Sequence, residues 1–553
     1  MEAQDSKTVQ WIMDGLAAAM DCRTNFDSHW EDVARVVLPH FRDSFTNQIV
    51  PTQGRELNQY VFDTTANTAL FRYAAAEESM LTPRNGRWHG IRIIDPNLNK
   101  LRQVRLWCEQ VTDLLFHYRY SPRANYQSQQ HDGYVSQGAF GTSCLFVDKL
   151  ADSFDPTAKG LRYVNVPLGQ LYVAQNHQGL VDKVWRRFPM TLRNVATAFG
   201  EDALSPEMRT KLADKPEFQV WCIHHVTPRE AWSPMPLSGK SMRYASYYLL
   251  EEDRTVLDEG GYRTFPYCVA RYTTGPGEIY GRGPAMLVLP SIKGLNAQKK
   301  TMLKQAHRTV DPVLLAHDDG VLDGLNLTPG AVNFGGMSAE GRRLVDVLPT
   351  GNLSIGVETM QDDRTAINDA FFVTLFQILV DQPTMTATEV LERAREKGAL
   401  LSPTFGRFQT ESLGPQILRE YELLFSQGLI PLPPPELLEA NATWAVEYDA
   451  PLNRAMKAES GAGFQRTVQF AAEIATQAQD PSVLDAFDFD VALRGVAELS
   501  SVPESWMAAP EVIAAKRAGR QQAQQTQQAI DAGPAMAAMA KATAPQGQQV
   551  GNG

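Results

Sequence analysis

"GPGEIYGRGP", Gly275 to Pro284, decides how this chain is read. It lies between a strand-like run, "TFPYCVARYTT", and a helix-like run, "MLVLPSIKGLNAQKKTMLKQAHRTV". Strand, glycine loop and helix together make the layout of a nucleotide-binding turn. The residues themselves argue against one. A dinucleotide fingerprint needs G-x-G-x-x-G, and after Gly275 and Gly277 the third place is taken by Tyr280. Pro276 removes a backbone donor that a phosphate would use. No G-K-[ST] follows at P-loop spacing. Pro284 suits the first turn of a helix. The stretch therefore reads as a tight corner feeding a helix, its glycines filling positions of positive φ.

The helix that it feeds, 284–311, has two faces. At 100° per residue, Ile292, Leu295, Met302, Leu303, Ala306 and Val310 share one side. Lys293, Lys300, Lys304 and Arg308 share another, with His307 at its edge. Lys299 breaks the apolar stripe. The basic side reads either as an ordinary solvated face or as the wall of a channel. Residues 312–355 are turn-rich, punctuated by "DDG", "LDG", "TPG" and "FGG". A second helix is expected over 356–380, and its later half, "AFFVTLFQILV", is apolar nearly all round. Such a helix needs neighbours on every side, so Phe372 and Leu375 are candidate subunit-interface residues. Two helices joined by a β-rich tip make a stalk, and a stalk of this kind suggests a ring of hairpins.

Elsewhere the texture alternates. Helices are expected over 6–38, 57–82, 101–118 and 123–137. From about 140 to 274 the runs "TSCLFVD", "LRYVNVP", "LYVAQN", "FQVWCIHHVTP" and "RYASYYLLEE" are short, β-branched and aromatic, which is strand texture. Helix resumes at 387–428, where Thr386-Ala-Thr-Glu389 reads as a capping box. Beyond "PLPPP" only helices are expected to about 517. The Gln/Ala-rich end, 518–553, reads as a mostly disordered tail that is helical at most at its start. The fold class is α+β.

Composition narrows the function. The chain has 553 residues, 43% of them hydrophobic, with 52 basic and 63 acidic side chains and a formal net charge of −11. That balance argues against tight wrapping of nucleic acid, which rests on neutralising phosphates. It allows a surface that a duplex slides past. The five cysteines have no pairing frame and no metal spacing, which suits folding in a reducing cytosol. No secretory signal is read at the N-terminus and no apolar run is long enough to span a bilayer.

Three stretches, in order, resemble the portal or head-to-tail connector proteins of short-tailed, podovirus-like bacteriophages. They are "VFDTTANTALFRYAAAEESMLTPRNGRWHGIRI" (61–93), "GEIYGRGPAMLVLPSIKGLNAQKK" (277–300) and "TATEVLERAREKGALLSPTFGRFQTESLGPQILREYELL" (386–424). The resemblance covers roughly residues 10–430. It implies the portal fold: mostly helical wing, stem and crown, with a β-rich wing part and a β-rich clip, assembled as a ring of twelve subunits around double-stranded DNA. Carried over, the wing is 1–283 with the kinked helix 387–431, and the stem is 284–311 and 356–380. The clip is 312–355, the crown 432–517. A tunnel loop falls at 381–386, with Asp381, Gln382, Pro383, Thr384 and Met385 facing the substrate; a plain helix connection is the other reading of these residues. Lys293, Lys300, Lys304, His307 and Arg308 become DNA-channel candidates. Arg342 and Arg343, in the clip, become candidate docking residues, or else a solvated turn. The partners implied are other copies of the chain, DNA, the terminase, a tail adaptor, the major capsid or scaffolding protein, and internal core proteins at the crown. The place implied is the capsid vertex of a virion assembled in the host cytoplasm, with no membrane involved. Another ring-forming neck or tail component, and a DNA-processing enzyme, are the competing classes.

No catalytic constellation supports the enzyme. Cys222, His224 and His225 suggest a metal, but on a strand His225 points away from the other two and no second ligand pair has a standard spacing. Asp318-Asp319-Gly320 reads as a turn, and Asp362-Asp363 as charge in the first half of a helix. No catalytic residue, cofactor or metal is expected, and any packaging ATPase is a separate protein.

Overall fold

The glycine corner is a crossing of two backbones. A computed structural model describes residues 2–45, 54–84, 86–151, 157–233, 238–316, 326, 328, 331–332, 337–338, 340–348, 354–374, 405–440, 443–449, 451–478, 481–499 and 506–542. Its first elements are α1 (Glu2–Val36), α2 (Thr65–Leu81), β1 (His89–Ile93), α3 (Arg102–Arg119) and α4 (Tyr126–Phe140). Helix α4 ends at Gly141, φ +77°, whose N–H bonds back to Gln137 O at 2.8 Å. That is a left-handed C-terminal stop, which glycine adopts without steric cost. Strand β2 (Thr142–Lys149) follows at once. Residues 281–283 lie directly on this junction. A Cβ on Gly281 would strike Gly141 O, and one on Gly283 would sit 2.7 Å from both Gln137 O and Gly141 N. Gly281 N–H donates to Thr142 Oγ1 at 2.9 Å. Tyr280 is driven inward, its ring edge-on to Trp30 and its hydroxyl accepting from Val173 N.

The corner reading thus holds, with one correction of cause. Among the glycines at 275, 277, 281 and 283 only Gly277 has positive φ, at +76°. Gly281 and Gly283 are needed because two main chains approach too closely for any side chain.

Two antiparallel sheets follow. Strands β3 (Leu161–Asn165), β2 and β9 (Tyr267–Arg271) form one, in the order β3-β2-β9. The other is a five-stranded meander of β4 (Leu171–Gln175), β5 (Val181–Thr191), β6 (Gln219–Pro228), β7 (Tyr244–Leu250) and β8 (Val256–Tyr262). Its faces are covered by different parts of the chain. Ile12 and Leu16 of α1 pack on Tyr172, Trp185, Ile223 and Leu249. Short helices α5 (Leu192–Phe199) and α6 (Pro206–Asp214) bring Leu192, Val195 and Met208 against Val220, Cys222 and Leu250 on the other. Both histidines of the Cys-His-His run are therefore interior. His224 meets Tyr267 Oη at 2.6 Å and Ser246 Oγ at 3.0 Å, and burial holds it well below the usual histidine pKa. His225 donates to Val184 O on the opposite face, and burial lowers its pKa to about 4.

The long helix near 387–428 is described from Phe405 on. It widens into a π-turn at Gln409–Leu413 before Gly414–Ser426. Pro415 explains the widening: it has no N–H, and its ring would clash with the carbonyl one turn back. Gln409 O, which takes the Gly414 N–H across the wide turn, also accepts from Tyr448 Oη at 2.9 Å. Beyond the turn, Glu420 pairs with Arg119, both side chains fully buried. Tyr163 and Gln416 each donate to Glu420 at 2.7 Å, so the buried charge is hydrogen-bonded as well as paired.

By contacts the chain forms two units: Met1–His89, Asp113–Pro431 and Tyr448–Met456 in one, and Gly90–Thr112, Leu432–Glu447 and Lys457–Gly553 in the other. In the second, β1 pairs with a strand at Trp444–Tyr448 inside the region expected to be helices alone. Helices Pro451–Ala478, Phe489–Leu499 and Pro510–Ala542 follow. The last runs through much of the Gln/Ala-rich segment read as a tail. Low complexity suggested disorder there, but Ala and Gln are both strong helix formers.

Gly281→Ala must force the two backbones apart. It is expected to destabilise by at least about 3 kcal/mol, seen as a lower thermal midpoint. Gly463→Ala, a helix position with open space around its Cβ, should raise the midpoint or leave it unchanged. Equal midpoints for both variants would contradict the crossing.

Candidate functional site

The corner delivers the chain into α7 (Pro284–Leu287) and α8 (Leu289–Val310). Helix α9 (Ser354–Ala370) returns beside it. Gln298 donates to Asp363 at 3.1 Å, and Gly356 sits so close to Met302 that a Cβ there would lie 2.9 Å from its sulfur. Residue numbers rise along one helix as they fall along the other, so the pair is an antiparallel hairpin. Between the helices, β10 (Leu314–Ala316) pairs with β11 (Val345–Val347) in a two-stranded ribbon.

The base of the hairpin is pinned by polar contacts that the sequence did not announce. Asn296 Oδ1 accepts from Phe62 N at 2.7 Å, and its amide donates to Tyr60 O. Asp63 accepts from Thr65 N at 2.9 Å, from the Thr65 hydroxyl, and from Arg364 of α9 at 2.8 Å. Burial pushes the Asp63 carboxyl up, but the bonds from Thr65 and Arg364 together hold it below the usual range. These contacts also explain why α2 begins at Thr65 and not at 57: the chain turns at Asp63 to accept them. Asp63 and Arg364 are 301 residues apart, so nothing local could have signalled the pairing.

The candidate residues divide. Lys293 is paired with Asp32 of α1 at 2.7 Å, and the Lys300 ammonium lies 5.3 Å from the centre of the Phe62 ring. Lys304, His307 and Arg308 are exposed. The apolar stripe is covered only in its first half. Ile292 and Leu295 are buried, while Leu303 is 41% and Val310 87% exposed. Bare apolar side chains continue along the ribbon at Val313, Leu315 and Val347. Arg342 and Arg343 are exposed on a turn where Ser338 N–H donates to Arg342 O.

The helix expected over 356–380 stops at Ala370. Phe372 adopts φ +55°, a left-handed conformation that costs a bulky side chain energy, and the α-helix cannot pass through it. Phe371 is fully buried beside Tyr73, and Phe372 is half-buried. Leu375, the loop Asp381–Met385 and the capping box at Thr386 lie outside the described residues.

Glu77, on the same helix as Tyr73, is almost completely enclosed. Tyr73 Oη donates to it at 2.5 Å, and its second oxygen has no partner among the described residues. Burial raises its pKa to about 8, against the opposing effect of the Tyr73 bond. Among the described residues no cluster of three His, Cys, Asp or Glu could hold a metal, and no helix is long and apolar enough to cross a membrane.

The described residues thus form an α+β body that carries a helical hairpin pinned at its base, with a two-stranded ribbon between its helices. The chain matches the family described as bacteriophage head to tail connecting protein over residues 10–507, and it belongs to that family. It is 26% identical over 538 residues to the portal protein of Salmonella phage epsilon15, covering 96% of this chain and 94% of that one. It is 27% identical over 527 residues to the probable portal protein of Bordetella phage BPP-1, covering 93% and 92%.

Glu77 makes a pH prediction. Its folded pKa, about 8, lies above the ordinary glutamate value of 4.5. Between those values the folded chain keeps a proton that the unfolded chain has lost. Stability from this group is therefore undiminished below pH 4.5 and falls as pH rises toward 8. Glu77→Gln, which stays neutral, should flatten that decline and melt higher than the unmodified protein at pH 9. Parallel melting curves from pH 5 to 9 would contradict it.

Proposed function

We propose that this chain is a portal subunit. Copies of it form a ring at one capsid vertex, and double-stranded DNA enters and leaves the capsid through the centre. The observation that carries the reading is the family match over residues 10–507 together with a hairpin whose lower half leaves several apolar side chains bare in the single chain. Leu303, Val310, Val313 and Leu315 form a run of exposed apolar side chains that a lone soluble subunit would have no reason to keep. Neighbouring copies would cover them. The resemblance implies twelve subunits.

In this reading α8 and α9 are the stem, and the ribbon between them belongs to the clip. Residues 381–386 are the tunnel loop, and the part from 432 to 517 is the crown, offered to internal core, capsid or scaffolding proteins. The net charge of −11 fits a conduit. A wall that mostly repels phosphate keeps the duplex centred and weakly held. The work of packaging belongs to a separate terminase, and the clip is where that motor, and later a tail adaptor, would dock.

Electron microscopy of the purified protein should show rings with a central hole, and sedimentation should show an assembly many times 61.4 kDa. A stable monomer at micromolar concentration would overturn the reading. A ring lacking a narrow clip would favour a neck component. Reversing Arg342 and Arg343 to Glu should weaken binding of the motor or adaptor and leave rings intact; unchanged binding would remove those residues from the docking surface.

A further inference from the structure

The two helices of the hairpin carry opposite charge on the faces turned away from each other. On α8 the side that meets α9 is marked by Leu295, Gln298 and Met302. Roughly half a turn round the helix stand Lys300 and Lys304, both exposed. On α9 the inward side is marked by Gly356, Met360, Asp363 and Ile367. Roughly half a turn from it stand Glu358, Asp362 and Asp369, all exposed. Lys300, Lys304, Glu358 and Asp362 form no ion pair with one another or with any other charged group among the described residues. The Lys300 ammonium stands over the Phe62 ring.

We propose that the basic face of α8 in one copy seats against the acidic face of α9 in the next, forming a charge seam between neighbouring subunits. The proposal rests on the ring reading above. In a ring built by repeating one rotation, with the two helices of each hairpin set side by side around the circumference, the order is α8, α9, α8, α9. The contact within a copy uses one side of each helix, and the contact between copies uses the opposite sides. Those opposite sides are the basic one and the acidic one. The interface is head-to-tail, so each copy offers one face of each sign.

Register supports the same pairing. Gln298 lies level with Asp363, and Met302 with Gly356. Lys300 and Lys304 therefore stand at about the height of Asp362 and Glu358, within reach of long side chains when copies are related by rotation about an axis parallel to the helices. This assignment takes Lys300 and Lys304, candidates for the channel wall or a solvated face by sequence, into the seam instead.

The test is a charge exchange. Lys300→Glu/Lys304→Glu makes both outer faces acidic, and Glu358→Lys/Asp362→Lys makes both basic. Each double variant alone should need at least about tenfold more protein for half-assembly at low salt, because like charges now face each other. The deficit should shrink as salt rises. Mixing the two variants restores opposite charge at every junction and should return rings of alternating copies. The quadruple variant, carrying both exchanges in one chain, should also assemble. Restored assembly in the mixture shows that the separate variants are folded. If either double variant assembles like the unmodified protein, or the mixture does no better than its components, the seam is absent. Rings that form normally but retain DNA differently would return the lysines to the channel wall and overturn the proposal. If the unmodified protein forms no ring, it is the ring reading that fails.

Discussion

The structure hangs on a place where no side chain fits. The end of α4 and the start of β2 pass against residues 281–283 so closely that only glycine is possible at 141, 281 and 283. This crossing fixes the direction in which the chain leaves the β-rich body and enters α7 and α8. The loop is then tightened from both ends. Arg282 pairs with Glu278 at 2.5 Å, Gly275 N–H donates to the same carboxylate, and Tyr280 is locked against Trp30. A phosphate cradle needs free N–H groups aimed outward. Here Gly275 and Gly281 give theirs to Glu278 and Thr142. The sequence pattern that first suggested a nucleotide serves a mechanical joint.

Stiffness on the far side of the body comes from a buried ion pair. Arg119 and Glu420 are 301 residues apart and fully enclosed. Removing one partner of such a pair typically costs about 3–5 kcal/mol, because the other charge is left alone. The π-turn at 409–413 sets the last helical segment so that Glu420 meets Arg119, and Glu411 within that turn grips Arg271 of β9 at 2.7 Å. The kink is thus tied on both sides of Pro415. Force applied to the hairpin would pass into a body cross-linked by buried charges and not only by apolar packing.

The hairpin itself is unfinished. Its base is held by Asp63, Asn296 and Arg364, yet from Leu303 on the apolar stripe faces solvent. A two-stranded ribbon is marginal in water without further support. An element firmly anchored at one end and incomplete at the other is what assembly from identical copies requires. In the proposed ring the fold would supply direction and neighbouring copies the missing cover.

Sequence by itself determined the kinds of element and much of the architecture. Periodicity placed α1, α3, α4 and α8, strand texture marked 140–274, and Pro284 located the start of the hairpin, because these signals are local and survive in any context. It also placed charge correctly on one face of α8. Tertiary structure alone decided what those faces meet. Lys293 is claimed by Asp32, α2 starts late because Asp63 turns to reach Arg364, and α9 ends early because Phe371 is buried beside Tyr73 while Phe372 turns left-handed. The glycines at 281 and 283 were legible as special, but the sequence pointed to dihedral angle where the cause was proximity. That difference has one physical source. Dihedral preference and amphipathic spacing act within a few residues, whereas backbone crossings, buried ion pairs and the seat of a helix end arise between segments hundreds of residues apart, and only folding brings them together.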